Sequence, residues 1–439
     1  MNDTALSATA SPAPTTYAGP PPWRAALAAG LGTAIEYYDF QLYAVMAVTL
    51  SPLFFANHDP TAGLLLTLGI FAGAFVVRPI GGVFFGWLGD KHGRTAALLV
   101  TILGMGCATA LMGALPTYAT AGILAPLMLL VLRLMQGFFA GGEVTGAATY
   151  IAECSPTNRR GFFGALNPAA ATLGLTVATA VAAITATAFG TDNMASWAWR
   201  VPFLISVPLI LLCYWARTTI EDSPKFKEIA RQHKLPKAPL REIIRNHRPG
   251  LLKVIAIGFA QNATGYVCLV YLNIHLTNTL GYDKISVFWL ISAVSFLAVL
   301  LKPLFGAVSD RVGRKPMLVL GFAGYMVIAP ATMYVASLGS FTLVIIAVTI
   351  SILPFSVVQA VGYPLYAELF PTRVRYSGVS LGFNIATIVG AGTASYIAAW
   401  LTAVTGNPMA PAGYVVIAAL IGLLTVTTVS ETAARPLTD

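Results

Sequence analysis

Apolar residues run along this chain in long blocks, broken at intervals by short clusters of Gly, Pro and charge. A helix needs about 20 apolar residues to cross the hydrocarbon layer of a bilayer. Blocks of that size fall near 25–50, 62–88, 95–115, 122–151, 161–188, 200–217, 250–279, 284–308, 316–336, 340–367, 376–404 and 412–430, so twelve membrane-spanning helices are predicted. Transmembrane strands would read as segments of about ten residues with alternating polarity. Such segments are absent, and continuous runs punctuated by Gly and Ala fit helices, which satisfy their main-chain hydrogen bonds internally.

Composition agrees with the pattern. With 57% hydrophobic and 10% charged residues in 439, and a mean hydropathy of +0.75, the chain carries more apolar surface than a soluble domain of this length could bury. The net charge of +9 is explained by topology. Lys91, Arg94, Arg159, Arg160, the run from Arg217 to Lys253, Arg311, Arg314, Lys315, Arg373, Arg375 and Arg435 fall in alternate connections, while the others hold little beyond Arg200 and Lys284. The positive-inside bias then places both termini in the cytoplasm and accounts for the basic excess without nucleic acid. Residues 1–22, rich in Pro, Ala, Ser and Thr, read as a disordered tail and lack the basic n-region of a signal peptide. Cys107, Cys154, Cys213 and Cys268 have no metal or redox spacing and read as small packing residues. The mixed-charge stretch around 218–248 reads as a solvated, partly helical linker, with a regulatory role as its alternative.

The chain also repeats itself. GWLGDKHGR (Gly86 to Arg94) returns as GAVSDRVGRK (Gly306 to Lys315), and AECSPTNRRGFFG (Ala152 to Gly164) returns as AELFPTRVRYSG (Ala367 to Gly378). Asp90 then corresponds to Asp310 and Glu153 to Glu368, so spans one to six match spans seven to twelve. Repeated halves of this kind are a transporter signature.

The doubled D-[KR]-x-G-R loop and the paired acidic-arginine loops resemble those of the major facilitator superfamily. Within it, GTAIEYYDFQLY (Gly32 to Tyr43), RPIGGVFFGWLGDKHGR (Arg78 to Arg94), RLMQGFFAGGE (Arg133 to Glu143) and WAWRVPF (Trp197 to Phe203) are similar to the metabolite:proton symporters, carriers of shikimate, 2-oxoglutarate, citrate, proline and betaine. The Asn384 region and the ending ETAARPL (Glu431 to Leu437) lean toward the proline/betaine branch. The resemblance implies an all-α integral membrane protein of two pseudo-symmetric six-helix bundles that alternate access to a central site. The expected divisions are a cytoplasmic tail at 1–22, bundles at 23–217 and 249–431, a cytoplasmic loop at 218–248 and a tail at 432–439. It also implies that Asp90, Arg94, Glu153, Arg160, Asp310, Arg314, Glu368 and Arg373 gate the cytoplasmic side rather than bind substrate.

Ionisable groups inside apolar spans cost several kcal/mol and are functional candidates by default. Glu36 and Asp39 lie three apart on one face of span one, and at 1.5 Å per residue Glu36 stands about 15 Å above the cytoplasmic end, near the depth of Arg78 on span two. Arg133 on span four lies higher, nearer Asp39. The expected pairs are therefore Asp39 with Arg133 and Glu36 with Arg78. A carboxylate that loses its arginine in an apolar interior takes a proton rather than stay charged, which is the physics of proton coupling, with Asp39 the leading carrier. The alternative is a static ion pair that locks helices together. Glu143 is either a second titrating site or an interhelical hydrogen bond.

Span seven replies with neutral polarity at Gln261, Asn262, Tyr266, Tyr271, Asn273 and His275; span ten adds Gln359 and Tyr363, and span eleven Asn384. Substrate contacts are expected from Arg78, Arg133, Tyr37, Tyr43, Gln261, Asn262, Tyr266, Gln359, Tyr363 and Asn384, each of which could instead make an interhelical bond. His275 is placed near the outer interface, and Lys302 is expected to snorkel to the cytoplasmic end. Two arginines suit a carboxylate, hence an organic acid or a zwitterionic osmolyte. No GxxxxGK[ST], HExxH or GxSxG motif supports a pump or membrane enzyme. The expectation is a monomeric, multi-pass plasma-membrane symporter with no cofactor, driven by the proton gradient, whose partners are a small carboxylate or zwitterion, protons and lipid. A uniporter and a non-transporting sensor of the same fold are the alternatives; the tail of about nine residues after span twelve argues against a signalling domain or a coiled coil.

Overall fold

The structure is a computed structural model that describes residues 22–56, 59–92, 94–142, 148, 151–218, 239–433 and 435. Residues 1–21, residues 219–238 of the expected central loop and most of the final tail lie outside the described residues; the described end of that loop holds a helix, Pro239–Asn246.

Twelve helices follow in order. In the first half, α1 is Pro22–Val45 with a continuation Ala47–Phe54, α2 Pro60–His92, α3 Arg94–Ala114 and α4 Leu124–Phe139. α5 is Leu166–Asn193, entered through the turn Arg160–Gly164, and α6 comprises Arg200–Leu204 and Ser206–Thr218. In the second half, α7 is Arg248–Gly265 prolonged by wide π-helical turns to Thr279, α8 Lys284–Val312, α9 Arg314–Ala336 and α10 Phe341–Glu368. α11 is Thr372–Thr387 resuming at Thr393–Thr405, and α12 is Ala410–Thr427. Eight of these regions are long and apolar enough to cross a membrane by length and composition, and α3, α4 and α6 add shorter apolar helices. No strand occurs among the described residues.

Sequence dictates the helix ends. Asp283 caps α8 by accepting from the Ser286 N–H at 2.8 Å. At its far end the motif glycine Gly313 adopts φ 111°, a conformation that only glycine enters without strain, and α9 restarts at once with Arg314. The D-R-V-G-R spacing thus encodes a tight reversal with Asp310 and Arg314 on either side of it. Large apolar side chains face outward, Val83 74% and Val327 71% exposed, as expected of surfaces bathed in lipid.

The two halves meet along α5 and α8 and along α2 and α11. At one end of the α5–α8 contact the backbones touch: a Cβ on Gly306 would run into the Gly161 carbonyl, and one on Gly161 into that of Gly306. Small residues at a helix crossing let two bundles approach and slide with no side chain between them.

Candidate functional site

A cavity lies between the halves, walled by Tyr37 and Gln41 of α1, Pro168, Thr172 and Leu175 of α5, Asn262, Tyr266 and Leu269 of α7, and Phe355, Gln359 and Tyr363 of α10. The centre of a water-sized sphere can occupy about 40 Å³ of it, room for a few waters. Hydrogen bonds close over it from both halves: Gln41 Nε2 donates to the Tyr266 hydroxyl at 2.9 Å, and Tyr37 bonds Tyr363. Behind the wall, Gln261 Nε2 donates to Gln359 Oε1 at 2.9 Å and the Tyr366 hydroxyl donates to Gln261 Oε1 at 2.7 Å. The cavity is therefore polar and aromatic, and hydrogen bonds from the two halves cross it.

The expected partners Glu36 and Arg78 are found together, 3.6 Å apart and both buried. The Arg78 guanidinium lies over Phe40 at 4.2 Å and Phe75 at 5.0 Å, and interacts electrostatically with Tyr37, Tyr266 and Tyr363 of the cavity. The expected Asp39–Arg133 pair is not formed. Arg133 hydrogen-bonds Gln136 and stacks among Phe40, Tyr43 and Phe71 at 4.0, 4.7 and 4.9 Å. Asp39 points the other way, toward α3, where it shares a small pocket with Glu36, Thr101 and Met105. One carboxylate oxygen bonds Thr109; Oδ1 has no hydrogen-bond partner among the described residues. Depth along the membrane normal put Asp39 beside Arg133, but rotation about α1 turns Phe40 toward the arginine instead. The link that remains is indirect, Gln136 Nε2 donating to the Asp39 main-chain oxygen and to Thr109, each at 2.8 Å.

Of the expected substrate contacts, Tyr37, Asn262, Tyr266, Gln359 and Tyr363 line the cavity, Gln261 supports them from behind, and Arg78 lies close by. Arg133 is enclosed by aromatics. Tyr43 is a buttress, its hydroxyl donating to the Thr67 carbonyl at 3.1 Å. Asn384 is outside the lining and donates to the Ser380 carbonyl at 2.9 Å within its own helix. Glu143 lies outside the described residues. His275 is not interfacial: it is fully buried, 5.8 Å from the Tyr271 ring. Lys302 does not snorkel. It is 1% exposed, its Nζ donating to the Pro168 carbonyl at 2.9 Å and to Thr172 Oγ1. Of the missed residues Gln41, Thr172 and Lys302, the last had a signal. Ser292, Ser295, Lys302, Gly306 and Ser309 form a polar and small stripe at helical spacing on α8, the stripe that meets α5.

At the end bearing the loop motifs, charges bridge the halves. Arg160 Nη1 lies 3.3 Å from Glu368 Oε1 and Arg375 Nη1 3.3 Å from Glu153 Oε1. Asp310 accepts from the Gly161 and Phe162 N–H groups at 2.7 and 2.9 Å, a carboxylate on the first amides of a helix. Arg314 joins Asp310 at 2.9 Å and Glu368 at 3.2 Å. Glu153 thus pairs with Arg375, and the side chains of Arg373, Asp90 and Arg94 lie outside the described residues. Glu431, which the sequence reading did not single out for a role, accepts from the Arg314 and Lys315 N–H groups at 2.8 and 3.1 Å. Burial opposes its charge, but these and the Thr432 and Ala433 amides outweigh that and hold its carboxyl below the usual range. At the opposite end, Asn273 Nδ2 donates to the Val45 carbonyl at 3.2 Å and Trp289 Nε1 to Thr187 Oγ1 at 3.3 Å. Contacts between the halves thus occur at both ends of the cavity.

The profile of the Major Facilitator Superfamily matches residues 29–373 and again 254–438. The chain belongs to the major facilitator superfamily. It is 35% identical over 426 residues to the proline/betaine transporter of Escherichia coli (strain K12), covering 94% of this chain and 84% of that one. The glycine betaine/proline/ectoine/pipecolic acid transporter OusA of Dickeya dadantii is also 35% identical over 426 residues, with the same coverage. The ectoine/proline transporter ProP of Corynebacterium glutamicum is 33% identical over 421 residues, 93% of this chain and 84% of that one. Among solved structures, the proton:xylose symporter XylE superposes with a TM-score of 0.74 at 18% identity, covering 95% of this chain and 98% of its own, a likeness of fold. This major facilitator protein is a membrane transporter of small solutes and not an enzyme.

Proposed function

We propose that this chain is a proton-coupled symporter that imports a small zwitterionic osmolyte, of the proline, betaine or ectoine kind, by alternating access. The observation that carries the reading is the placement of two buried carboxylates, Glu36 and Asp39, on α1, the helix that also lends Tyr37 and Gln41 to the cavity of tyrosines and amides. A zwitterion is neutral overall, so the charge to be cancelled is the carrier's own. A proton taken by Asp39, a buried carboxylate with no arginine beside it among the described residues, neutralises that side chain, so loaded carrier and proton cross together. The aromatic faces of Tyr37, Tyr266, Phe355 and Tyr363 suit a quaternary or secondary ammonium, and the solutes for which the relatives are named are of this class.

Each half then moves as a unit about α5–α8 and α2–α11. The Arg160–Glu368, Arg375–Glu153 and Asp310 contacts part when the cavity opens toward the motif end, which the basic loops assign to the cytoplasm. The test is uptake by proteoliposomes of proline, betaine, ectoine, shikimate, citrate and 2-oxoglutarate, with and without an inward pH gradient. The reading expects gradient-dependent accumulation of the zwitterions. Equal uptake without the gradient would make the protein a uniporter, and no uptake would return the sensor alternative.

A further inference from the structure

The fold buries a second-half cation for which neither the charge pairs of α1 and α2 nor the gate accounts. Lys302 stands midway along α8, 1% exposed, and its ammonium is held by neutral groups alone: the Pro168 carbonyl and Thr172 hydroxyl of α5, and the ring of Phe355 on α10 at 4.5 Å. Among the described residues no carboxylate pairs with it, whereas Arg78 has Glu36 and Arg314 has Asp310 and Glu368. A buried ammonium without a counter-charge is costly, and proteins that retain one have a partner for it at some stage of their working cycle. All three of its neighbours, Pro168, Thr172 and Phe355, are wall residues of the central cavity. Lys302 is thus one side chain's thickness from the space where substrate sits, on the seam where the halves move against each other.

We propose that Lys302 is the carboxylate-binding residue of the cavity. It exchanges its bonds to Pro168 and Thr172 for the substrate's carboxylate when Phe355 and the α5–α8 seam loosen. The substrate's ammonium then lies among the tyrosines of α1, α7 and α10, and the two ends of a zwitterion are read by opposite walls. This assignment rests on the zwitterion reading above, and it moves the anion site away from Arg133, which is sealed among Phe40, Tyr43 and Phe71. It also makes Lys302 a specificity determinant, because a cationic solute of the same shape brings no counter-charge to the ammonium and adds a like charge beside it.

The experiment measures binding by the purified full chain in lipid nanodiscs of two matched pairs: glycine betaine against choline, and proline against prolinamide. Each pair differs in the carboxylate while keeping the ammonium. The wild type is expected to prefer the carboxylate member by roughly 100-fold, the scale of a buried charge contact. Lys302→Gln, which can still donate to Pro168, is expected to lose that preference, binding betaine and proline more weakly and choline and prolinamide at least as tightly as the wild type. Lys302→Arg, which restores the charge, is expected to recover most of it and carries the test if the Gln variant does not fold. A purely structural lysine would weaken both members of a pair equally. That result, or an unchanged preference in Lys302→Gln, overturns the assignment and leaves the transport reading standing; absence of carboxylate binding by the wild type overturns both.

Discussion

Glu368 is the acid on which the closed motif end converges, so neutralising it should open that end. Oε1 receives Arg160 from the first half at 3.3 Å and Arg314 at 3.2 Å, and Oε2 receives the Thr432 hydroxyl at 2.5 Å. In Glu368→Gln the volume is kept, but an amide N–H₂ must face at least one of two buried guanidinium groups. A hydrogen bond to a charged partner contributes about 1.5–3 kcal/mol, and the contact that depends on closure is the one from Arg160. A loss near 3 kcal/mol shifts the closed-to-open ratio by about 100-fold. The assay is maleimide modification of Thr172→Cys, a cavity-wall position, with the native cysteines replaced, in vesicles exposing the motif end. Labelling in the Glu368→Gln background should accelerate toward that limit. An acceleration of less than about threefold would show that the Arg160–Glu368 bridge does not hold this end closed.

Three further outcomes follow from the same geometry. Asp39→Asn should abolish accumulation driven by a pH gradient while leaving substrate exchange at equal pH intact; loss of both would assign Asp39 a structural role. Gly306→Leu should reduce transport at least about tenfold by forcing α5 and α8 apart, whereas Gly413→Leu, where an added Cβ meets nothing within 4 Å, should be neutral; equal uptake by the two variants would refute the close-contact account. Glu431 has its carboxyl held below the usual range, so the stabilisation it gives the α8–α9 turn is present above the ordinary carboxylate value and is lost as pH falls through the lowered one. Amide exchange at Arg314 and Lys315, corrected for intrinsic pH dependence, should lose protection only at that acidic end, and in Glu431→Gln, whose amide does not titrate, should show no such pH-dependent loss.

The twelve-helix architecture was legible because each block of apolar residues had to be a helix to satisfy its main chain in lipid, and because the repeated loops fixed the correspondence of the halves. The Glu36–Arg78 contact was legible as a matter of depth. Asp39 and Arg133 were not, since matching heights carry no information about rotation, and Phe40 rather than Asp39 faces the arginine. Lys302 was misplaced by its nearness in sequence to the motif loop. Its helical neighbours Ser295 and Gly306, already visible in the chain, show that it lies on the stripe that meets α5.

The most direct test of proton-coupled import is simultaneous recording of substrate entry and internal pH in proteoliposomes with no gradient imposed beforehand. Addition of external proline or betaine should acidify the lumen in step with substrate entry, and Asp39→Asn should remove the acidification. Entry of either substrate at full rate with no change in internal pH would contradict the account.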